Sequence, residues 1–134
     1  AGRGVHLLQR DNECAVRVRQ NMFSGVDYDY VVRVNTNLFV SKPLPKVTKL
    51  VTARNRLVTL PGKPLPNTPF AIGYADAMLV LLELWPGVEA TVGEKATVGE
   101  ELAEGKIVLA TKAHLEQYGL ATQPDKRVRA CVVA

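Results

Sequence analysis

From Cys14 to Gln20, apolar and polar residues alternate. Cys14, Val16 and Val18 fall on one side, and Ala15, Arg17 and Arg19 on the other. Side chains of an extended chain point to opposite faces in turn, so the pattern predicts a strand. Asn21–Gly25 (NMFSG) supplies turn residues for a hairpin loop. A longer alternation follows from Tyr28 to Val40. Tyr28, Tyr30, Val32, Val34, Thr36 and Leu38 form one row; Asp29, Val31, Arg33, Asn35 and Asn37 form the other. Its β-branched and aromatic residues favour strand over helix. Antiparallel pairing of the two runs would gather Arg17, Arg19, Arg33 and Asn35 on one face, with valine and tyrosine packed behind.

Ser41–Pro45 ends the second run, because proline cannot donate to a ladder. Lys49–Leu60 holds two Leu-Val-Thr runs around Ala-Arg-Asn-Arg and predicts another hairpin. Pro61–Pro69 is a rigid connector without a regular backbone pattern. Phe70–Trp85 admits two periodicities. As a strand, Tyr74, Asp76, Met78 and Val80 share a row opposite Ala75, Ala77, Leu79 and Leu81. As a helix it is apolar nearly all round and lacks a clean stripe. The expectation is a long strand, ended by Pro86-Gly87.

The pentapeptide ATVGE occurs twice within Ala90–Glu100, a duplication too short to define a repeat architecture. Thr97 and Glu100 fit a capping box for a helix that runs to about Tyr118 and stops at Gly119. Lys126–Ala134 (KRVRACVVA) predicts a final strand. The expected fold class is α+β, an antiparallel β-sheet followed by a C-terminal helix, in one domain over residues 1–134.

Composition narrows the function classes. At 134 residues, 47% hydrophobic and 22% charged, the chain can bury a core without metal or disulfide support. Its longest apolar run, Ala77–Trp85, contains Glu83 and falls well short of the roughly 18 residues a membrane span needs. With no leader pattern at its start, a soluble cytosolic protein is expected. Cys14 and Cys131 have no metal-ligand spacing, and reduced thiols are expected of both. His6 and His114 have no paired acid, and no hydrolase, zinc or phosphate-loop motif occurs. Asp27 and Asp29 form a carboxylate pair of the kind expected at a solvated hairpin end. No enzyme, cofactor, metal, small-molecule substrate or membrane partner is expected.

Charge points to a different partner. Residues 1–66 carry eleven Lys/Arg against four Asp/Glu, whereas residues 67–134 carry six against nine. Six of the eleven are arginines in or beside expected strands: Arg10, Arg17, Arg19, Arg33, Arg54 and Arg56. The planar guanidinium fork suits phosphate, so a polyanion on one surface is expected.

The stretch Val16–Asn35 (VRVRQNMFSGVDYDYVVRVN) resembles the central hairpin of coat proteins of single-stranded RNA bacteriophages, the levivirus type. Val18-Arg19-Gln20 and Tyr30-Val31-Val32-Arg33-Val34 stand where that family has its Arg-Gln strand end and its tyrosine-led valine strand. Tyr74-Ala75-Asp76, and the acidic helix around Glu100–Tyr118, follow in a similar order. The resemblance implies an intertwined homodimer with helices packed over the partner sheet. Dimers would close into an icosahedral shell, assembled in the host cytoplasm and carried in the virion. It also implies that hairpin-bearing single-stranded RNA lies on the inward sheet face, against Arg17, Arg19, Arg33 and Asn35, with Tyr74 and Asp76 stacking on and hydrogen-bonding its bases. The alternatives are a tail-completion or head-joining ring protein of a tailed phage, and a small cellular RNA-binding module.

Overall fold

The computed structural model describes residues 3–92 and 100–133. Helix α1, Arg3–Phe23, occupies the region of the first expected strand. Its buried positions are Val5, Leu8, Asp11 and Ala15, with Val18 partly buried, a helical stripe whose middle member is a carboxylate. Val16, on the row expected to pack, is 52% exposed, whereas Ala15 is 1% exposed. The expected turn NMFSG is the helix stop. Gly25 has a φ of 96°, Val26 N donates to Asn21 O at 3.0 Å and Gly25 N to Met22 O at 3.0 Å. These two bonds satisfy carbonyls the last helical turn leaves open, and the backbone conformation favours glycine. The hairpin of Arg17, Arg19, Arg33 and Asn35 is therefore not formed.

Strand β1 (Tyr30–Val34) is shorter than expected, and a two-residue strand β2 (Phe39–Val40) follows. The expected Lys49–Leu60 hairpin is a short helix α2 (Val47–Leu50) and a separate strand β3 (Arg56–Thr59). The Pro61–Pro69 connector leads to β4 (Phe70–Tyr74). From Ala75 the expected long strand becomes helix α3 (Ala75–Leu82). Pro86 then lies in the first turn of α4 (Trp85–Val92), where its missing N–H costs no helical bond. Helix α5 (Glu100–Gln117) ends at Gly119, as expected, with the same two-bond closure as α1. The proposed cap residue Thr97 and most of the ATVGE duplication lie outside the described residues. Strand β5 is Ala121–Pro124. The expected final strand is helix α6 (Lys126–Cys131), capped by Asp125 accepting from Arg127 N at 2.8 Å, and then β6 (Val132–Val133).

The class is α+β, but the sheet is mixed. Its order is β1-β4-β3-β5: β4 pairs antiparallel with β1 and β3, and β3 pairs parallel with β5. Strands β2 and β6 form a separate antiparallel ribbon. Both faces of the main sheet are used. On one, Val31, Leu57 and Ala71 meet Val5, Leu8, Met78, Leu81, Val88 and Ile107 from α1, α3, α4 and α5. On the other, Val58, Phe70 and Ile72 meet Leu50, Val51 and Val128 near α2 and α6. Helix α3 lies against α1, β1, β3 and β4. A helix enclosed in this way is apolar all round. Among the described residues, no helix is long and apolar enough to cross a membrane.

The helical face contains a buried ion pair. Arg33 on β1 is 8% exposed and Asp11 on α1 is 5% exposed. Arg33 Nε lies 3.1 Å from Asp11 Oδ1, and Arg33 Nη2 donates to Pro66 O of the connector. Three segments far apart in sequence thus converge on one guanidinium. Burial raises the Asp11 carboxyl to about 6, against the opposing pull of Arg33. The native state therefore keeps a proton that the unfolded chain releases near pH 4, so this contribution to stability is largest below that pH and is lost as pH rises to about 6. The stability advantage of the native protein over Asp11→Asn, from urea midpoints, is expected to shrink by roughly 1–3 kcal/mol between pH 4 and 6.5. An advantage that grows over this range would show that the ionised pair is the favoured form.

Candidate nucleic-acid interface

Alternation along β1 places Tyr30, Val32 and Val34 on the face opposite Val31 and Arg33. The expected polarity of this strand is inverted. Arg33, assigned to the ligand face, is buried toward α1, while Val32 and Val34 are 50% and 46% exposed. Tyr30 is the cross-strand partner of Tyr74. Their ring centroids are 4.9 Å apart with planes inclined by 35°. Both rings lean on the Val58–Phe70 cluster and stay half-buried, anchored on one side and open on the other.

Arg54 completes the group from the turn before β3. Its guanidinium lies over the Tyr74 ring, 4.6 Å from the centroid. Its Nη1 is 3.7 Å from Oδ2 of Asp76 in the first turn of α3, and both side chains are largely exposed. An exposed pair of this kind is worth at most about 1 kcal/mol, so it orients the guanidinium without holding it shut. The cation over the ring contributes a similar amount and leaves the donor fork free at its edge.

Further cations lie in the segment that leads up to β4 and in α6. Residues 41–66 carry Lys42, Lys46, Lys49, Arg54, Arg56 and Lys63 and no Asp or Glu. Helix α6, with Lys126, Arg127 and Arg129, packs on the same side through Val128. Arg127 Nη2 bonds Asp125 at 2.7 Å and donates to Lys49 O at 3.3 Å, tying α6 to α2. The Arg127 guanidinium holds the Asp125 carboxyl below its usual range. This face combines a two-ring platform with positive charge drawn from residues 41–66 and from α6.

The expected site residues are divided among different places. Tyr74 and Asp76 belong to this cluster. Arg17 lies exposed on α1, a helix packed on the opposite face of the sheet. Arg19, also on α1, forms a bidentate pair with Glu83, at 2.5 Å and 2.6 Å, and so fastens α1 to the end of α3. Arg33 is inaccessible. Asn35 shapes the turn after β1: its N donates to Pro69 O at 2.9 Å, and its O accepts from Leu38 N at 3.1 Å. Tyr30 and Arg54 were not among the expected site residues. Tyr30 had been placed on the packed row, and Arg54 was only one arginine among six. The signal for Arg54 was its place in a turn before an apolar strand. For Tyr30 it was a partner tyrosine 44 positions away, which only strand pairing reveals.

The Tyr30 phenol is raised above its ordinary range, chiefly by hydrogen bonding with the Tyr74 hydroxyl. Tyr74→Phe is expected to bring the Tyr30 titration down toward about pH 10, followed by NMR of tyrosine labelled at the ring carbon bearing the hydroxyl. A Tyr30 midpoint unmoved by the substitution would show that the two hydroxyls do not interact. Comparisons with protein-family models, curated proteins and solved structures gave no match.

Proposed function

We propose that this protein binds single-stranded RNA on the open face of β1 and β4. One observation carries the reading: Tyr30 and Tyr74 are paired, half-exposed and overlaid by Arg54, on a face bordered by a 26-residue segment with six cations and no carboxylate. An aromatic ring offers an unpaired base a stacking surface whatever its sequence, worth about 1–3 kcal/mol. The free edge of Arg54, together with Arg56, Lys46 and Lys49, meets phosphates and releases their counterions. A duplex buries its base faces in its own stack, so the platform favours an unpaired strand over a helix. Asp76 accepts from a base amino or ribose hydroxyl beside the ring.

Assembly into a closed shell, which the coat-protein resemblance implies, is a second reading. Its support is the exposed apolar ribbon, where Phe39 is 68% and Val133 is 57% exposed. Such a surface is suited to burial against another copy. The residues that carry the resemblance form a helix and a strand here, so this reading rests on the ribbon alone. Size-exclusion chromatography with the ratio of absorbance at 260 and 280 nm separates large RNA-filled particles from a small species.

For the RNA face, fluorescence anisotropy with a labelled oligouridine is the direct test. Tyr74→Ala is expected to weaken binding by about 5- to 100-fold. Arg54→Gln is expected to weaken it and to flatten the slope of log affinity against log salt by about 0.7. Equal affinity of wild type and both variants would remove the platform from the function.

A further inference from the structure

At the far end of the same face lies a second feature. A cavity of about 260 Å³ is lined by Asn37, Leu60, Pro61, Gly62, Lys63, Asn67, Pro69 and Arg129. Two of these are cations, and among the described residues no carboxylate lines it. Behind the wall, Asn67 is bonded to Glu104, and both carboxylate oxygens accept a hydrogen bond. Oε1 accepts from Gly4 N at 2.7 Å, and Oε2 from Asn67 Nδ2 at 3.0 Å. Asn67 Oδ1 remains buried without a hydrogen-bond partner.

The cavity is held open by its backbone. Gly62 has a φ of 112°, and a Cβ there would lie 3.0 Å from Arg129 Nη2. The glycine thus gives the guanidinium room to cross the loop, where Nη2 donates to Pro61 O at 3.2 Å. That bond uses one of five donors and directs the head group to the rim. Pro61, Pro64, Pro66 and Pro69 stiffen the surrounding loop, so little ordering is left to do on binding. The volume lies just below the roughly 300 Å³ at which pockets for drug-sized ligands begin, so the occupant is a fragment rather than a whole cofactor.

We infer that this cavity binds the terminal phosphate monoester of the single strand whose bases stack on Tyr30 and Tyr74, an inference that rests on the RNA-binding reading. The charge match selects the monoester. An internal phosphodiester carries one negative charge, whereas a terminal monoester approaches two near neutral pH and so satisfies both Lys63 and Arg129. The spacing fits as well. Four strand steps separate Phe70, beside the cavity, from Tyr74 on the platform, about 13 Å at about 3.3 Å per residue. Val32 and Val34 lie open along that path.

The test compares oligouridines ending in hydroxyls with the same strands bearing a 5′- or a 3′-phosphate, titrated near neutral pH into the full chain. One terminal phosphate is expected to tighten binding to the wild type about ten-fold more than an added charge does in Lys63→Gln/Arg129→Gln, where the ratio falls to about one. Both side chains are exposed, and circular dichroism checks the fold of the double variant. In Tyr74→Ala overall affinity drops, while the phosphate ratio remains. A wild-type ratio near one, or a ratio that survives the double variant, overturns the assignment. If no strand binds at all, the RNA reading fails, and uridine monophosphate followed by NMR decides the cavity alone. Shifts at the Gly62 amide that vanish in the double variant support a phosphate site, and an unmoved spectrum overturns it.

Discussion

The buried contact between Asp11 and Arg33 is the constraint on which the rest of the architecture depends. It joins α1, β1 and the Pro61–Pro69 connector at one point, through a carboxylate, a guanidinium and the carbonyl of Pro66. Removing two charged groups from water costs several kcal/mol each, and attraction between them returns that only in good geometry. Such a pair is therefore weak evidence for stability but a strict condition on register. Sliding β1 by one residue would turn Arg33 toward the open face and leave Asp11 buried without a partner, at about 3–5 kcal/mol. With that register set, Tyr30 must lie opposite Tyr74.

The platform is a consequence of that alternation. Because Arg33 is drawn inward toward α1, the opposite row of β1 faces the side covered only in part by α2, α6 and the small ribbon. Two half-open tyrosines and two half-open valines result, beside a connector free of carboxylates. Glu89, Glu104 and Glu116 belong to α4 and α5, on the other side of the sheet, while Asp76 and Asp125 stay on this face, each beside an arginine. Lys126, Arg127 and Arg129, which sequence order places in the acidic half, rejoin the basic residues because α6 packs on α2.

The errors in reading the elements have a common origin in local context. Seven residues at Cys14–Gln20 alternate by coincidence. The buried stripe Val5, Leu8, Asp11, Ala15 has a charged middle member, and Arg33 meets that carboxylate. Helix α3 lacked a stripe because it is enclosed on several sides, so the absence of amphipathicity marked burial rather than strand. At Lys126 the helix signal is the capping Asp125 just before it.

The sequence by itself determined the α+β class, the terminus of α5 at Gly119, the irregular proline connector and the excess of basic residues. These follow from backbone chemistry and composition, which act within a few residues or through total charge. Tertiary structure alone decided that the arginine row of β1 is the buried one, that Tyr30 and Arg54 join Tyr74, and that α6 joins the 41–66 segment on one basic face. Each of these depends on which distant segment supplies a partner: a carboxylate for Arg33, a strand for Tyr30, a carbonyl for Arg127. Local patterns contain no record of such partners, because hydrophobic and polar periodicity tells which residues share a side but not which side the fold will cover.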